Sequence, residues 1–572
     1  MSNVKLILKV WRLLTKSEQK KSFILLAYLL VGTVLELLSV GVLLPLIRVL
    51  TQSDLNSKFD VFERYFPNSS DQLIVTTVLM LVIFTFLVKE VFLGFSLWAQ
   101  RSFVSKLETR FQTEIFNRHS NQPYEFHLSQ NSSLLSRDIL NSNNFIYNIV
   151  DPIFILLTDG LVAIALCFVL VVIEPISMLV TISFVSLVAA LFHRYSKKRI
   201  ETWGQQRQLK EAIRLKQMSE TFGGIKEISV LGRGDYFRKK FEENVNDLSL
   251  INRKYITIIG IPRLYLELLA IIGLAALVIS MLALGRTSES MLPILGVFAG
   301  GAFRLMPAIN RITFAFQSFR MGAETINGLT QQDYAVVGSN QNSNSCPTFE
   351  FQSKIELKSV SYSYPGEKVS SLSEVGIEIL KGSEVGIIGA TGAGKSTLVD
   401  VFLGLLSPTK GSILVDGVDI SQNLRGWQDL IGYVPQSIFL SDETIEANVA
   451  FGIPESEIDE SKVWQALEQA QLKSFVESLP NGKRTIVGER GVRLSGGQRQ
   501  RIGIARALYL DPPILVFDEA TSALDIETEK EVMSSLNLLR RSKTILIVTH
   551  RLSALDQCDQ IIEIENGRLL SK

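Results

Sequence analysis

Gly389-Ala390-Thr391-Gly392-Ala393-Gly394-Lys395-Ser396 decides how this 572-residue chain is read. The octet fits the pattern of a glycine, four free positions and Gly-Lys-Ser. It follows the apolar run Val385-Gly386-Ile387-Ile388 and opens a helical pattern, the strand–loop–helix context that the chemistry requires. Glycines let backbone N–H groups close around phosphate oxygens. In such a loop Lys395 reaches the β and γ phosphates and the Ser396 hydroxyl holds Mg²⁺. Gly389, Gly392, Gly394, Lys395, Ser396 and Thr397 are therefore the expected phosphate-binding set.

Further along, Ile514-Leu515-Val516-Phe517 is a continuous apolar run that ends in Asp518 and Glu519. Such a run suits a buried parallel strand, and carboxylates at its C-terminal end fall in the crevice where ligands bind in open α/β sheets. Asp518 is the expected Mg²⁺ partner and Glu519 the expected general base towards water. Between the two motifs lies Leu494-Ser495-Gly496-Gly497-Gln498, opening the helical run 498–508. Alone it reads as a helix cap; its order and neighbours make it an anion-binding helix N-terminus.

With these motifs in hand, residues 350–572 resemble the nucleotide-binding domain of ATP-binding cassette (ABC) proteins. The resemblance implies more roles. Tyr364, in Tyr362-Ser363-Tyr364-Pro365, matches the aromatic that stacks on adenine; Gln436, in Tyr433-Val434-Pro435-Gln436, matches the glutamine that senses Mg²⁺ and water. Residues 494–498 match the signature that binds the γ-phosphate held by an opposite subunit. Asp525, in Ser522-Ala523-Leu524-Asp525, matches the loop coupling two sites, and His550, after the strand-like run 544–549, matches the switch histidine. Glu519, His550, Gln436 and Lys395 form the expected catalytic set, with Ser396, Gln436 and Asp518 on the metal. One phosphate loop and one intact signature per chain imply a homodimer with two equivalent ATP sites.

Upstream, residues 1–330 contain six apolar stretches near 23–48, 73–97, 145–172, 176–198, 256–284 and 288–312, each able to supply the roughly 20 residues a bilayer span needs. Lys and Arg crowd the stretches between spans two and three (Arg101, Lys106, Arg110, Arg118, Arg137) and between spans four and five (Lys197, Lys198, Arg199, Arg207, Lys210), so both termini are expected in the cytoplasm. Those stretches keep helical periodicity and are expected to turn near 121–134 and 219–231. Residues 1–22 set Lys and Arg among Val4, Ile7, Leu8, Trp11 and Leu14, an amphipathic helix on the cytoplasmic face. Leu55, Phe59, Phe62 and Phe66 predict a second amphipathic helix over 53–67 on the outer side. Residues 331–349 are polar and aperiodic, a linker. The expected organisation is thus 1–22, a six-span α-helical transmembrane domain over 23–330, the linker, and an α/β P-loop domain over 350–572: the type IV ABC exporter architecture. No cleavable signal peptide is expected. A net charge of +1 argues against nucleic acid as partner, and Cys167, Cys346 and Cys558 lie too far apart for a metal knuckle.

The membrane half also resembles one branch, the PglK-type flippases of lipid-linked oligosaccharides. Ile261-Pro262-Arg263-Leu264-Tyr265-Leu266-Glu267 and Phe303-Arg304-Leu305-Met306-Pro307-Ala308-Ile309-Asn310-Arg311 carry that resemblance, with Glu36 and Pro45 in span one. It implies a bacterial inner-membrane protein that flips a diphosphate-linked glycolipid. Charges within spans are costly and usually face a cavity. Arg263, Arg304, Arg311 and Lys89 are therefore the substrate candidates, with Arg304 and Arg311 seven residues apart on one helix face. Three alternatives stay open. These cations can pair with Glu90 and Glu267 and only hold helices together, and the chain can be an exporter of drugs, lipids or peptides, or an ATP-gated channel or regulator.

Overall fold

The computed structural model describes residues 8, 10–42, 71–130, 132–173, 175–283, 288–331, 349–367, 369–520, 542–550 and 555–570. Contacts divide the chain into two units, one formed by residues 1–122 and 129–336, the other by 123–128 and 337–572. The expected outer helix at 53–67, Asp525 and nearly all of the linker at 331–349 lie outside the described residues.

The first unit is helical. Its elements are α1 (Lys16–Gly41), α2 (Asp71–Ser120), α3 (Tyr124–Ser129), α4 (Ser132–Phe145), a π-helical turn (Ile146–Val150), α5 (Asp151–Ile173), α6 (Pro175–Gly223), α7 (Ile225–Val230), α8 (Gly234–Ala283) and α9 (Ser288–Gln331), of which α3 groups almost wholly with the second unit. Each long helix joins an apolar stretch to a charged one, so a single helix runs from a membrane composition into a polar one. Among the described residues, four stretches are long and apolar enough to cross a bilayer: Lys16–Ser39, Val75–Ser120, Leu135–Val172 and Gly234–Ile279. The fourth and sixth expected spans lie on α6 and α9. Leu166, Leu170, Leu277, Met281 and Phe298 form a buried apolar cluster, while Phe84, Ile164, Phe168, Ile271 and Phe303 stay exposed. An apolar interior beneath an apolar exterior is what lipid, rather than water, as solvent produces.

The second unit holds two sheets. Strands β1 (Lys354–Tyr362), β2 (Leu372–Leu380), β4 (Lys410–Val415) and β5 (Val418–Asp419) form an antiparallel sheet in the order β2-β1-β4-β5. Strands β3 (Glu384–Ile388), β6 (Ile431–Val434), β7 (Ile514–Asp518), β8 (Thr544–Val548), β9 (Gln560–Glu565) and β10 (Arg568–Leu569) form the other, in the order β10-β9-β3-β8-β7-β6. Its centre is parallel, and β7 and β8 are buried at every position. Strands covered on both faces must be apolar on both, which explains the unbroken runs seen in the sequence. Each fully buried Val or Ile there contributes about 1.5–3 kcal/mol. Trp427 is wholly buried against Phe402 and donates its indole N–H to the Phe402 carbonyl at 2.8 Å, so its one polar atom is satisfied. The two helices that matter below are α10 (Lys395–Phe402) and α11 (Gly496–Leu508).

Candidate functional site

The chain leaves β3 through the glycine loop into α10. Gly394 caps the helix at φ +104°, where a Cβ would meet the Ser371 carbonyl at 2.7 Å. A Cβ on Gly389 would run into the Ile564 carbonyl. Only glycine fits either place, so the loop can present bare backbone. The buried Lys395 ammonium folds back over the loop and donates to the carbonyls of Gly389 (2.8 Å) and Ala390 (3.0 Å). The Tyr364 and Thr397 hydroxyls lie 3.3 Å apart, placing the adenine-stacking candidate beside the first turn of α10. Tyr364 packs edge-on against Tyr362 at 5.1 Å, and the Tyr362 hydroxyl donates to the Glu125 carboxylate at 2.7 Å. Burial, then Glu125, pushes the Tyr362 hydroxyl well above the usual phenol range, so it stays a donor.

Neighbouring parallel strands β6, β7 and β8 end side by side, and three expected catalytic residues meet just beyond them. Glu519 follows β7 in a left-handed conformation, φ +49°, with its N–H on the Val548 carbonyl. A non-glycine residue there is strained and held by its surroundings. One Glu519 oxygen accepts the Gln436 side-chain N–H at 2.7 Å; the other lies 2.8 Å from His550 Nε2. Behind it, burial raises the Asp518 pKa, the Glu519 charge raises it further, and Lys395 opposes both. Asp400 on α10 is pushed up to about 6 by burial and by Asp518. Carboxylates crowded in this way, beside Ser396 on the phosphate loop, form a donor set of hard oxygens that fits Mg²⁺.

Ser495 caps α11 reciprocally: its hydroxyl accepts the Gln498 N–H at 3.2 Å, and the Gln498 side chain accepts the Ser495 N–H at 2.8 Å. This is a capping box. Gly496 and Gln436 line one cavity of about 530 Å³. Among the described residues no hydrogen bond or ion pair joins 494–498 to the phosphate loop.

In the first unit every substrate candidate holds a carboxylate. Lys89 pairs with Glu90 at 2.8 Å and Arg263 with Glu267 at 2.9 Å, the partners foreseen for a structural role. Arg304 pairs instead with buried Glu36 of α1, and Arg311 grips buried Asp159 of α5 with two bonds of 2.7 and 2.8 Å. Sequence reasoning missed Asp159, although an acid inside an apolar span was signal enough. It also missed Asp400, Glu125 and Tyr433. The last bonds Asp518 through its hydroxyl, and nothing local to Tyr433 announces it.

Residues 372–522 match the family described as ABC transporter, and residues 22–289 match the ABC transporter transmembrane region. The ATP-dependent lipid A-core flippase of Salmonella typhimurium is 30% identical over 410 residues, 71% of this chain and 68% of that one. The chain belongs to the ABC transporters. The protein of the same name from Saccharophagus degradans is 33% identical over 353 residues, 62% of this ABC transporter chain; the match spans only 59% of that relative's length. A solved bacterial Atm1-family ABC exporter with ATP bound superimposes with a TM-score of 0.77, covering 96% of this chain and 95% of that one at 20% identity, a likeness of fold. The architecture is that of a type IV ABC exporter: a helical membrane domain followed by an α/β nucleotide-binding domain.

Proposed function

We propose that this ABC transporter hydrolyses ATP to flip a lipid-linked oligosaccharide, or a similar diphosphate-linked glycolipid, across a bacterial inner membrane. It works as a homodimer with both termini in the cytoplasm. The observation that carries the ATPase is the meeting of Gln436, Glu519 and His550 on one carboxylate. Glu519 takes the proton of the attacking water, while Gln436 and His550 fix its two oxygens. Lys395 turns from its own loop carbonyls to the phosphates. Tyr364 stacks on adenine, and Asp525 links the two sites. Ser396, Asp518 and Gln436 would hold Mg²⁺, which would offset phosphate charge. Ser495, Gly496, Gly497 and Gln498 close on the nucleotide of the second copy.

On the substrate side the support is Arg263, Arg304 and Arg311. Each keeps between a third and three quarters of its side chain exposed while holding a carboxylate. Guanidinium forks match phosphate oxygens, and Lys89 is a weaker candidate because it is nearly closed off. An apolar cavity of about 520 Å³ among α5, α6, α8 and α9, lined by Phe168, Val185, Leu266 and Phe298, suits a hydrocarbon tail. The relatives are named as ATP-dependent flippases of lipid A-core. The deciding experiment is ATP-dependent flipping in proteoliposomes, offering defined diphosphate-linked glycolipids, lipid A-core and hydrophobic drugs in turn. Flipping of the diphosphate glycolipid alone is expected; transport confined to drugs, or ATP turnover without any transport, overturns the reading.

A further inference from the structure

The N-terminal segment and the start of α1 cover a cavity of about 250 Å³ that the transport reading does not use. Its walls come from Trp11 and Leu14 of the segment, Phe23 of α1, Phe103 of α2, and Val150 and Phe154 around the π-helical turn. The lining is apolar: its one hydroxyl, on Ser22, is spent on the Glu18 carbonyl at 2.9 Å. Water needs two or more polar partners to stay in such a space, and beyond the single Trp11 indole N–H the lining side chains offer none.

The cover is tied down. Arg110 donates to the Leu13 carbonyl at 3.0 Å and pairs with Glu18 at 2.9 Å; Gln19 donates to the Trp11 carbonyl at 3.1 Å; Trp11 meets Phe23 edge-on at 5.5 Å. The π-turn that forms part of the wall is a deformation found often at functional sites. Around this cover the charge is one-sided. Arg12, Lys16, Lys20 and Lys21 are all exposed, and Glu18, the single acid over residues 10–23, is consumed by Arg110. A dry slot whose cover carries exposed bases next in sequence to the lining residues Trp11 and Ser22, in a chain whose helices are of bilayer length, is complementary to a lipid that has a hydrocarbon tail and a negative head.

We infer that this cavity binds one acyl chain of an anionic membrane phospholipid, with its head group on the basic lip formed by Arg12, Lys20 and Lys21. The site shares no residue with the arginine pairs, so it stands whatever the transported substrate is. The lipid acts as a wedge that keeps the N-terminal segment seated on α2 and α5.

Trp11 is a built-in reporter. The full-length chain is reconstituted into phosphatidylcholine vesicles containing a rising fraction of phosphatidylglycerol or phosphatidylcholine with brominated acyl chains. The fluorescence of a Trp11→Phe variant is subtracted to isolate Trp11. Brominated phosphatidylglycerol is expected to quench Trp11 at a several-fold lower mole fraction than brominated phosphatidylcholine. Lys20→Gln with Lys21→Gln should abolish that preference, and Val150→Phe, which fills the slot, should reduce quenching by both lipids. Equal quenching by the two lipids, or a preference that survives the lysine changes, overturns the proposal. Both lysines are exposed, so the test stands even if the filled variant fails to fold.

Discussion

The acids at the candidate sites of the two units are handled in opposite ways. In the membrane unit Glu36 and Asp159 are buried and each is met by an arginine from α9. In the nucleotide-binding unit Asp400, Asp518 and Glu519 crowd one another, with the Lys395 charge as partial relief. Neutralised pairs hold helices together and resist change. Crowded carboxylates that are only partly compensated make a place where a divalent cation and a polarised water are favoured. The contrast explains why one unit reads at once as a catalytic site, while in the other the same residue types serve equally as struts or as a binding surface.

The sharpest way to break the contrast is at Glu519. Replacing it with Gln keeps the bond from Gln436, since an amide oxygen still accepts, but removes the proposed base. ATP turnover should fall about 10²–10⁴-fold, while ATP binding, measured by equilibrium dialysis, stays within a few-fold of the parent. A variant that hydrolyses at the parental rate would move catalysis elsewhere in the acidic cluster.

The second test asks whether the arginine pairs are only struts. Arg311→Gln leaves Asp159 buried without its partner. Breaking a fully buried pair costs about 3–5 kcal/mol; the half-exposed Arg311 side chain reduces this to about 1–2 kcal/mol. Thermal unfolding should show that loss, and Asp159→Asn added to Arg311→Gln should recover most of it. Flipping then separates the roles. If Arg311 also binds the diphosphate, the double variant is stable, hydrolyses ATP at the basal rate and fails to flip. Restored flipping in the double variant would make the pair structural and return the substrate question to uncharged compounds.

How much of this was legible follows from how far apart the partners lie. The phosphate loop and the strand ending in Asp518 and Glu519 are local: eight and six consecutive residues carry both the backbone geometry and the chemistry. Ser495 and Gln498 are three apart, and their capping box is equally local. Gln436 and His550 became catalytic candidates only through family resemblance, since 83 residues separate Gln436 from the Glu519 it bonds. The arginine partners are harder still. Arg311 and Asp159 are 152 residues apart on different helices, and helix periodicity says which face a charge occupies but not which helix will meet it. The local pairs Lys89–Glu90 and Arg263–Glu267, which need no second helix, were the ones visible in advance.

The smallest expected effect tests the comparison from the acidic side. Asp400 is the counterpart of Asp159: half-buried, facing the Asp518 charge, and joined by no ion pair among the described residues. Its pKa is raised from the usual 3.8 to about 6. The folded protein therefore holds a proton there that the unfolded chain has already released. The stability this contributes is fully present below pH 4 and is lost as the pH rises through about 6. A tenfold tighter hold on the proton corresponds to about 1.4 kcal/mol in a closed interior; partial exposure and screening bring the whole effect to about 1 kcal/mol. Asp400→Asn should then stabilise the protein by about 2–4 °C at pH 7.5 in Mg²⁺-free buffer, and by about half as much at pH 5. Excess Mg²⁺ should shrink the gain, because a cation on Asp518 removes the repulsion that the substitution relieves. A gain that is equal at both pH values would mean that burial of the side chain, rather than its charge, is being relieved, and the acidic cluster would lose its part in the contrast with the paired acids of the membrane unit.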